Sequence, residues 1–146
     1  MTAESFDRAR RLLEKHQHLR ALLANMEEFF AQEPQELADT TKITDDLIAE
    51  LKLHFLHEEE GGYFAEALAQ APRLTTRASE LKQQHRELLK RVRELYEQAQ
   101  QGDGSAAWWS SLRVAYQSLS EQIRAHELGE NDLVQEAFTE DIGTHD

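Results

Sequence analysis

The sequence contains no cysteine, and it has few of the residues that interrupt helices. The lack of cysteine excludes disulfides, thiolate zinc sites, iron–sulfur ligation and cysteine catalysis. Any bound metal must therefore be held by nitrogen and oxygen atoms. Only six glycines and two prolines occur in 146 residues. A chain so rich in Leu, Ala, Glu, Gln and Arg favours helices over strands, at the length of one domain with a single core.

Positive charge is also scarce, because 16 Lys and Arg stand against 28 Asp and Glu, which gives a formal net charge of -12. Such a surface repels phosphate backbones and anionic membranes, so we expect neither nucleic acid nor membranes as partners. No apolar run approaches the roughly 18 residues of a membrane span, and residues 1–23 lack the apolar core of a signal peptide. The expected location is the cytoplasm.

Three breaks, at Pro34, Pro72 and the turn at residues 102–104, divide the chain into four amphipathic segments. The short connections between them imply an all-α fold, an antiparallel up-down-up-down four-helix bundle over residues 1–138. The polar tail at 139–146 is expected to fray. The predicted helices are Ser5–Glu33, Gln35–Ala71, Arg73–Gln101 and Ser105–Phe138. Because the second contains Gly61 and Gly62, we predict a kink or π-bulge there.

Polar residues interrupt the apolar stripe of every predicted helix. Two helices present a single histidine, and two present a histidine followed four residues later by a glutamate, so that both side chains lie on one helix face. The spacing also repeats between the two halves of the chain. The interrupting residues are His16, His54 with Glu58, His85, and His126 with Glu130.

The four histidines are expected to lie at one height in the bundle. Each break lies between two of the histidines, and the numbers of residues from the break to the histidine before it and to the histidine after it differ by at most five. At a rise of 1.5 Å per residue this difference is about 7 Å. Burying four imidazoles and two carboxylates without partners would cost several kcal/mol for each charged group, against a total stability of about 5–15 kcal/mol. A shared metal offsets that cost, whereas a metal-free polar network that senses pH is the alternative.

The number of ligands indicates two metal ions. Two six-coordinate ions need about twelve positions, of which the histidines supply four, two bridging glutamates four, and an oxo or hydroxo bridge two. About two positions stay open for a small ligand. Imidazole with carboxylate suits two iron ions, although zinc or manganese is also possible.

With these residues the chain resembles the haemerythrin-like, or HHE cation-binding, family over nearly its whole length. The resemblance rests on His16, the segment from His54 to Phe64, His85, and the segment from His126 to Val134. It implies a four-helix bundle with a carboxylate-bridged di-iron centre. Such centres bind oxygen reversibly, sense oxygen or nitric oxide, or handle iron and repair damaged iron centres.

The ligand pattern differs from that of the oxygen carriers. Carriers have a second histidine where this chain has Leu89, and an aspartate where it has Asn131, so that Glu130 is the carboxylate here. Both differences resemble the four-His, two-Glu branch that repairs iron centres. Proteins of that branch carry an extra amino-terminal region with cysteines, and this sequence contains no cysteine.

Three further residues are weaker candidates. His18 is expected to be solvated unless it replaces His16 as the ligand of the first helix. His57, one turn after His54, is expected to be partly exposed, and contact with the edge of the site is the alternative. Tyr63 is the candidate to hydrogen-bond a metal ligand, and packing in the core is its alternative role. Four acidic residues are expected to lie on solvated faces. These are Glu59, Glu60, Glu127 and Asp132.

The favoured function is binding or sensing of oxygen, nitric oxide or peroxide, or handling of iron, at a non-haem di-iron centre. Two alternatives stay open. One is catalysis as an oxidase, a peroxidase or an iron-centre repair factor, and the other is a metal-free, pH-sensing interaction module.

Overall fold

The computed structural model describes residues 3–60 and 63–143, and within these ranges it contains helices and no strand. A short 3-10 helix at Pro72–Leu74 leads into the third long helix. The predicted all-α bundle is confirmed. The α-helices are α1 (Ala3–Ala31), α2 (Leu37–Glu60), α3 (Tyr63–Gln70), α4 (Thr75–Gln100) and α5 (Ala106–Gly143).

The four long helices form a ring in which α1 contacts α2, α2 contacts α4, α4 contacts α5, and α5 contacts α1. Side chains from the start of α5 bind carbonyl oxygens at the end of α1. The indole of Trp109 donates to the Gln32 carbonyl at 2.8 Å, and Arg113 donates to the Phe30 carbonyl at 2.6 Å. These bonds satisfy carbonyls that a helix end leaves without partners, and they hold α1 and α5 antiparallel.

The turn between α4 and α5 requires glycine at two positions. Gly104 has a φ of 78°, a conformation that other residues adopt at a cost. A Cβ atom on Gly102 would lie 1.8 Å from the indole nitrogen of Trp108. Ser105 caps the start of α5, since its hydroxyl accepts a hydrogen bond from the Trp108 amide at 3.1 Å. The predicted turn is confirmed.

Among the described residues, the apolar core consists of two separate clusters of buried side chains. The larger one extends from the His54 level to the turn between α4 and α5, and includes Leu19, Phe55 and Ile123. The smaller one lies at the other end of the bundle, and includes Phe64 and Leu133. The polar residues that interrupt the apolar stripes lie between the two clusters, so both faces of the polar layer are covered by apolar side chains.

One predicted helix end, that of the last helix, required correction, and one prediction lies outside the described residues. Helix α2 ends at Glu60 and α3 begins at Tyr63, so the kink or π-bulge predicted at Gly61 and Gly62 lies outside the described residues. Helix α5 continues to Gly143, beyond the predicted start of the tail at Thr139. In the described ranges no helix has the length and apolar character needed to cross a membrane.

Candidate metal centre

The structure brings all six predicted ligands into one buried layer. Helix α1 contributes one of them, α2 two, α4 one and α5 two, and none is more than 4% exposed to solvent. Each histidine replaces an apolar residue in the stripe of its helix, so helical periodicity alone directs the side chain inward. They are His16, His54, Glu58, His85, His126 and Glu130.

One group of four lies between α1 and α2. It contains His16 and His54 together with both glutamates, and its candidate ligand atoms all lie within 4.8 Å of one another. The Nε2 atom of His16 lies 3.4 Å from Glu58 Oε1 and 3.5 Å from Glu130 Oε1. His54 Nε2 also contacts Glu58. Two imidazoles and two carboxylates therefore surround one position.

A second group of four lies between α4 and α5. It contains His85 and His126 with the same two glutamates, again within 4.8 Å of one another. His85 Nε2 lies 3.0 Å from Glu58 Oε2, and His126 Nε2 lies 3.0 Å from Glu130 Oε1. Glu58 and Glu130 thus belong to both groups, as carboxylates that bridge two cations would.

Several polar atoms of this layer are buried without a hydrogen-bond partner. They include the Nε2 atoms of three histidines and both carboxylate oxygens of Glu130. Unpaired buried polar groups are expensive, and a cation that accepts all these lone pairs removes the cost. The donor set of nitrogen and oxygen atoms therefore fits a pair of metal ions such as iron, zinc or manganese. The histidines concerned are His54, His85 and His126.

Without a metal, the negative carboxylates favour protonation of the neighbouring imidazoles. Burial alone lowers the pKa of His16, but the carboxylates of Glu130 and Glu58, both within 3.5 Å of its Nε2, outweigh that effect and raise the pKa to about 10. The same balance raises the pKa of His85 to about 9. Burial raises the pKa of Glu58, and contacts with Glu130 and three histidines lower it well below its usual range. In the metal-free layer the two carboxylates therefore favour the protonated form of His16 and His85.

The amide side chains of Asn131 and Gln84 each orient one imidazole of the layer through its Nδ1 atom. Neither bond was predicted from the sequence. The Nδ1–H of His16 donates to Oδ1 of Asn131 at 2.8 Å, and that of His126 donates to Oε1 of Gln84 at 2.7 Å. Because a carbonyl oxygen only accepts, each bond keeps the Nδ1 proton in place and leaves Nε2 facing the carboxylates.

Two of the four acidic residues expected on solvated faces have contacts with the site. Glu127 is 1% exposed, which contradicts the prediction, and its Oε2 accepts from Arg20 Nε at 3.1 Å. Burial raises the pKa of Glu127, although the nearby His16 lowers it in part. Glu59 is half exposed, as expected, but its Oε2 lies 3.5 Å from His85 Nδ1. Glu60 and Asp132 are exposed.

Two of the three weaker candidates, His18 and His57, lie outside the layer. The side chain of His18 is 73% exposed and lies 3.4 Å from Glu50, so the structure places His16 and not His18 among the six. His57 is exposed and accepts from Lys15 Nζ at 2.9 Å. Tyr63 is the first residue of α3, and its side chain lies outside the described part of the chain.

Comparison with protein families agrees with this geometry. The model of the hemerythrin HHE cation-binding domain matches residues 7–138. The chain therefore belongs to the haemerythrin HHE cation-binding family, as the sequence resemblance predicted. Searches of curated proteins and of solved structures each found no significant match.

Proposed function

We propose that the protein holds two iron ions with an oxo or hydroxo bridge, and that it binds or senses oxygen, nitric oxide or peroxide there, or handles iron. The observation that carries this proposal is the pair of four-residue groups that share Glu58 and Glu130. In this arrangement His16 and His54 would hold one ion and His85 and His126 the other, with Glu58 and Glu130 available to both.

An iron pair supplies a redox centre with coordination positions that protein side chains do not fill. The chain's own residues prepare the place for it. The four imidazoles present Nε2 toward the carboxylates, and Asn131 and Gln84 keep two of them in that tautomer. The apolar clusters above and below keep bulk water away, which strengthens every electrostatic contact within the layer.

Elemental analysis of purified protein, reconstituted with iron under anaerobic conditions, tests the proposal. We expect two irons per chain. Replacing His54 or His126 by alanine removes a ligand and is expected to lower the bound iron to one ion or none. The matched variants His57→Ala and His18→Ala remove exposed imidazoles and should keep both ions. A single zinc per chain, or an equal loss in His57→Ala, would contradict the proposal.

Catalysis is the second candidate function, and the environment of Leu89 supports it. This side chain packs against the larger apolar cluster, one turn after His85. It supplies no imidazole, so each ion has only two, and more coordination is left for a reactant. Under this candidate, iron-loaded protein consumes peroxide with turnover or restores damaged iron–sulfur proteins. A fully loaded protein that shows no turnover in either assay would contradict it.

The raised pKa values of His16 and His85 exclude these two imidazoles as the sensing groups of the metal-free, pH-sensing alternative. A sensor must change its charge between about pH 5 and 8. The pKa values of His16 and His85 are raised to about 10 and about 9, so in the metal-free protein both imidazoles keep their protons across that range.

A further inference from the structure

Helix α4 carries four exposed basic side chains along one line of its surface. They recur at intervals of four, four and three residues, so they lie within about 80° of one another around the helix and extend along about 17 Å of it. In a chain with 28 acidic and 16 basic residues, such a positive line is unexpected. This basic stripe consists of Lys82, Arg86, Lys90 and Arg93.

No carboxylate of the described residues lies within ion-pair distance of the basic stripe, although acidic side chains are plentiful. Basic residues elsewhere do have such partners, for example Arg20 with Glu127 and Lys42 with Asp46. Members of the stripe that are four residues apart also repel each other, because like charges at this spacing destabilise a helix. The stripe therefore does not serve the stability of its own helix.

The acidic residues of α4 follow a different line. Glu80, Glu87 and Glu94 recur every seven residues, about 100° round the helix from the basic stripe. Glu97 lies one turn beyond Arg93, near the end of the helix. The two signs of charge are thus separated on the surface of α4, so the stripe presents a continuous positive edge.

The basic stripe borders a groove between α4 and α2. Glu59 of α2 and Glu87 line a cavity of about 440 Å³ in this groove, together with two members of the stripe. Two carboxylates and two cations balance each other there. The excess of positive charge therefore lies further along the groove, at Lys90 and Arg93 of the stripe and at the exposed Lys52 of α2.

An exposed apolar side chain lies on the same groove. Lys52 and Leu56 precede Glu59 by seven and three residues, so all three share one side of α2, the side that faces the groove. The side chain of Leu56 is 47% exposed. An apolar contact with charged residues around it is the usual composition of a protein–protein interface.

We propose that the groove formed by the basic stripe, Lys52 and Leu56 docks another protein, which presents acidic side chains around an apolar one. A small acidic patch meets only the positive groove. Nucleic acid or an anionic membrane extends beyond it, onto a surface whose net charge of -12 repels them. The docked protein lies beside the polar layer, since Glu59 Oε2 is 3.5 Å from His85 Nδ1.

Charge reversal tests the positive part of the groove. The probe is a short fluorescent peptide in which glutamates flank a single leucine, and anisotropy measures its binding to metal-free protein at low salt. We expect Arg86→Glu/Lys90→Glu to weaken binding about tenfold or more, because each change replaces attraction by repulsion. The control Arg10→Glu/Lys42→Glu alters the net charge equally at exposed positions outside the groove, and should change binding less than about twofold. Equal weakening in both variants would overturn the proposal, as would a peptide that does not bind.

The apolar part of the groove has a test of its own. Leu56→Ser removes the exposed apolar contact, and we expect it to weaken binding of the peptide about threefold or more. Leu53→Ser is the matched control, because Leu53 is 50% exposed on another side of α2. If Leu56→Ser binds as the unaltered protein does, the attraction is one of charge alone and the proposed interface is refuted.

The place of binding and the class of partner are measured separately. In NMR spectra of metal-free protein, the peptide should shift the backbone signals of α2 and α4 along the groove and leave those near Arg10 and Lys42 unchanged. Uridine-rich RNA and phosphatidylserine vesicles should bind more weakly than the peptide. Tighter binding of either, or shifts elsewhere on the bundle, would overturn the proposal. None of these measurements requires iron, so their outcome is independent of the proposed function.

Discussion

At the scale of single residues, the site depends on amide groups that never touch a metal. Asn131 on α5 holds His16 of α1, and Gln84 on α4 holds His126 of α5. In each case the amide belongs to a helix other than that of the imidazole it orients. The orientation of the ring thus depends on how two helices pack, and the bond transmits the packing to the ligand atom.

Replacing Asn131 by leucine is expected to weaken iron binding about 10- to 100-fold, because His16 loses the acceptor that fixes its tautomer and its ring plane. Asn131→Asp keeps an acceptor oxygen and should bind iron more tightly than the leucine variant does. Competition with a chelator of known affinity measures the effect. Gln135→Leu, at an exposed position of the same helix, is the control. Equal weakening in both leucine variants would show that the effect is unspecific.

The six clustered residues could be predicted because each occupies an inward position of an otherwise apolar stripe. Glu127 was missed, although it lies four residues after the buried Ile123 and therefore fits the same helix face. The bonds of Gln84 and Asn131 could not be predicted, since they depend on the rotation of one helix against another. That rotation follows from three-dimensional packing, and no regular spacing of residues in the sequence reveals it.

At the scale of helices, breaks at proline and glycine were predicted within a few residues of their observed places. Pro72 begins the 3-10 helix that leads into α4, and the turn before α5 contains Gly102 and Gly104. The end of α5 was predicted too early because the polar composition after Phe138 resembled a tail. Helix propensity alone is a weak guide to such an end, since Glu and Thr occur in helices as well as in tails.

The two glycines of this turn are expected to differ in what they tolerate. Gly102→Ala places a methyl group against Trp108, whose indole donates to the Gln98 carbonyl at 3.1 Å. The ring must move, and we expect a loss of about 1–3 kcal/mol in the free energy of unfolding. A Cβ atom on Gly104 would meet no other atom within 4 Å, and asparagine tolerates a positive φ. Gly104→Asn should therefore lower the free energy of unfolding by less than Gly102→Ala does. Urea denaturation of both variants measures this, and equal losses would contradict it.

At the scale of the whole molecule, the polar layer links stability to both protons and metal. The raised pKa values of His16 and His85 mean that the folded, metal-free protein binds protons more tightly than the unfolded chain. This stabilisation is complete below about pH 6.5 and is lost as the pH rises through about 9 to 10. The lowered pKa of Glu58 has the opposite sign, and its contribution is lost only in acid.

We therefore expect the Tm of metal-free protein to fall between about pH 6.5 and 10. Metal needs deprotonated imidazoles, so the increase in Tm on loading with iron or zinc should grow over the same interval. Thermal denaturation with and without metal, at several pH values, measures both trends. In the metal-free His16→Gln variant, the Tm should fall less steeply with pH. A Tm that rises with pH in the metal-free protein would contradict the raised pKa values.

The ring of helices places α1 and α2 on one side of the layer and α4 and α5 on the other. Each side contributes two histidines and one glutamate. Either pair of imidazoles shares both carboxylates with the other pair, so each four-residue group takes ligand atoms from both sides of the layer. A variant that lacks the two histidines of one side keeps the complete group of the other side, and we expect it to hold one ion where the intact protein is proposed to hold two. One of the two positions can therefore change its ligands while the other keeps its own.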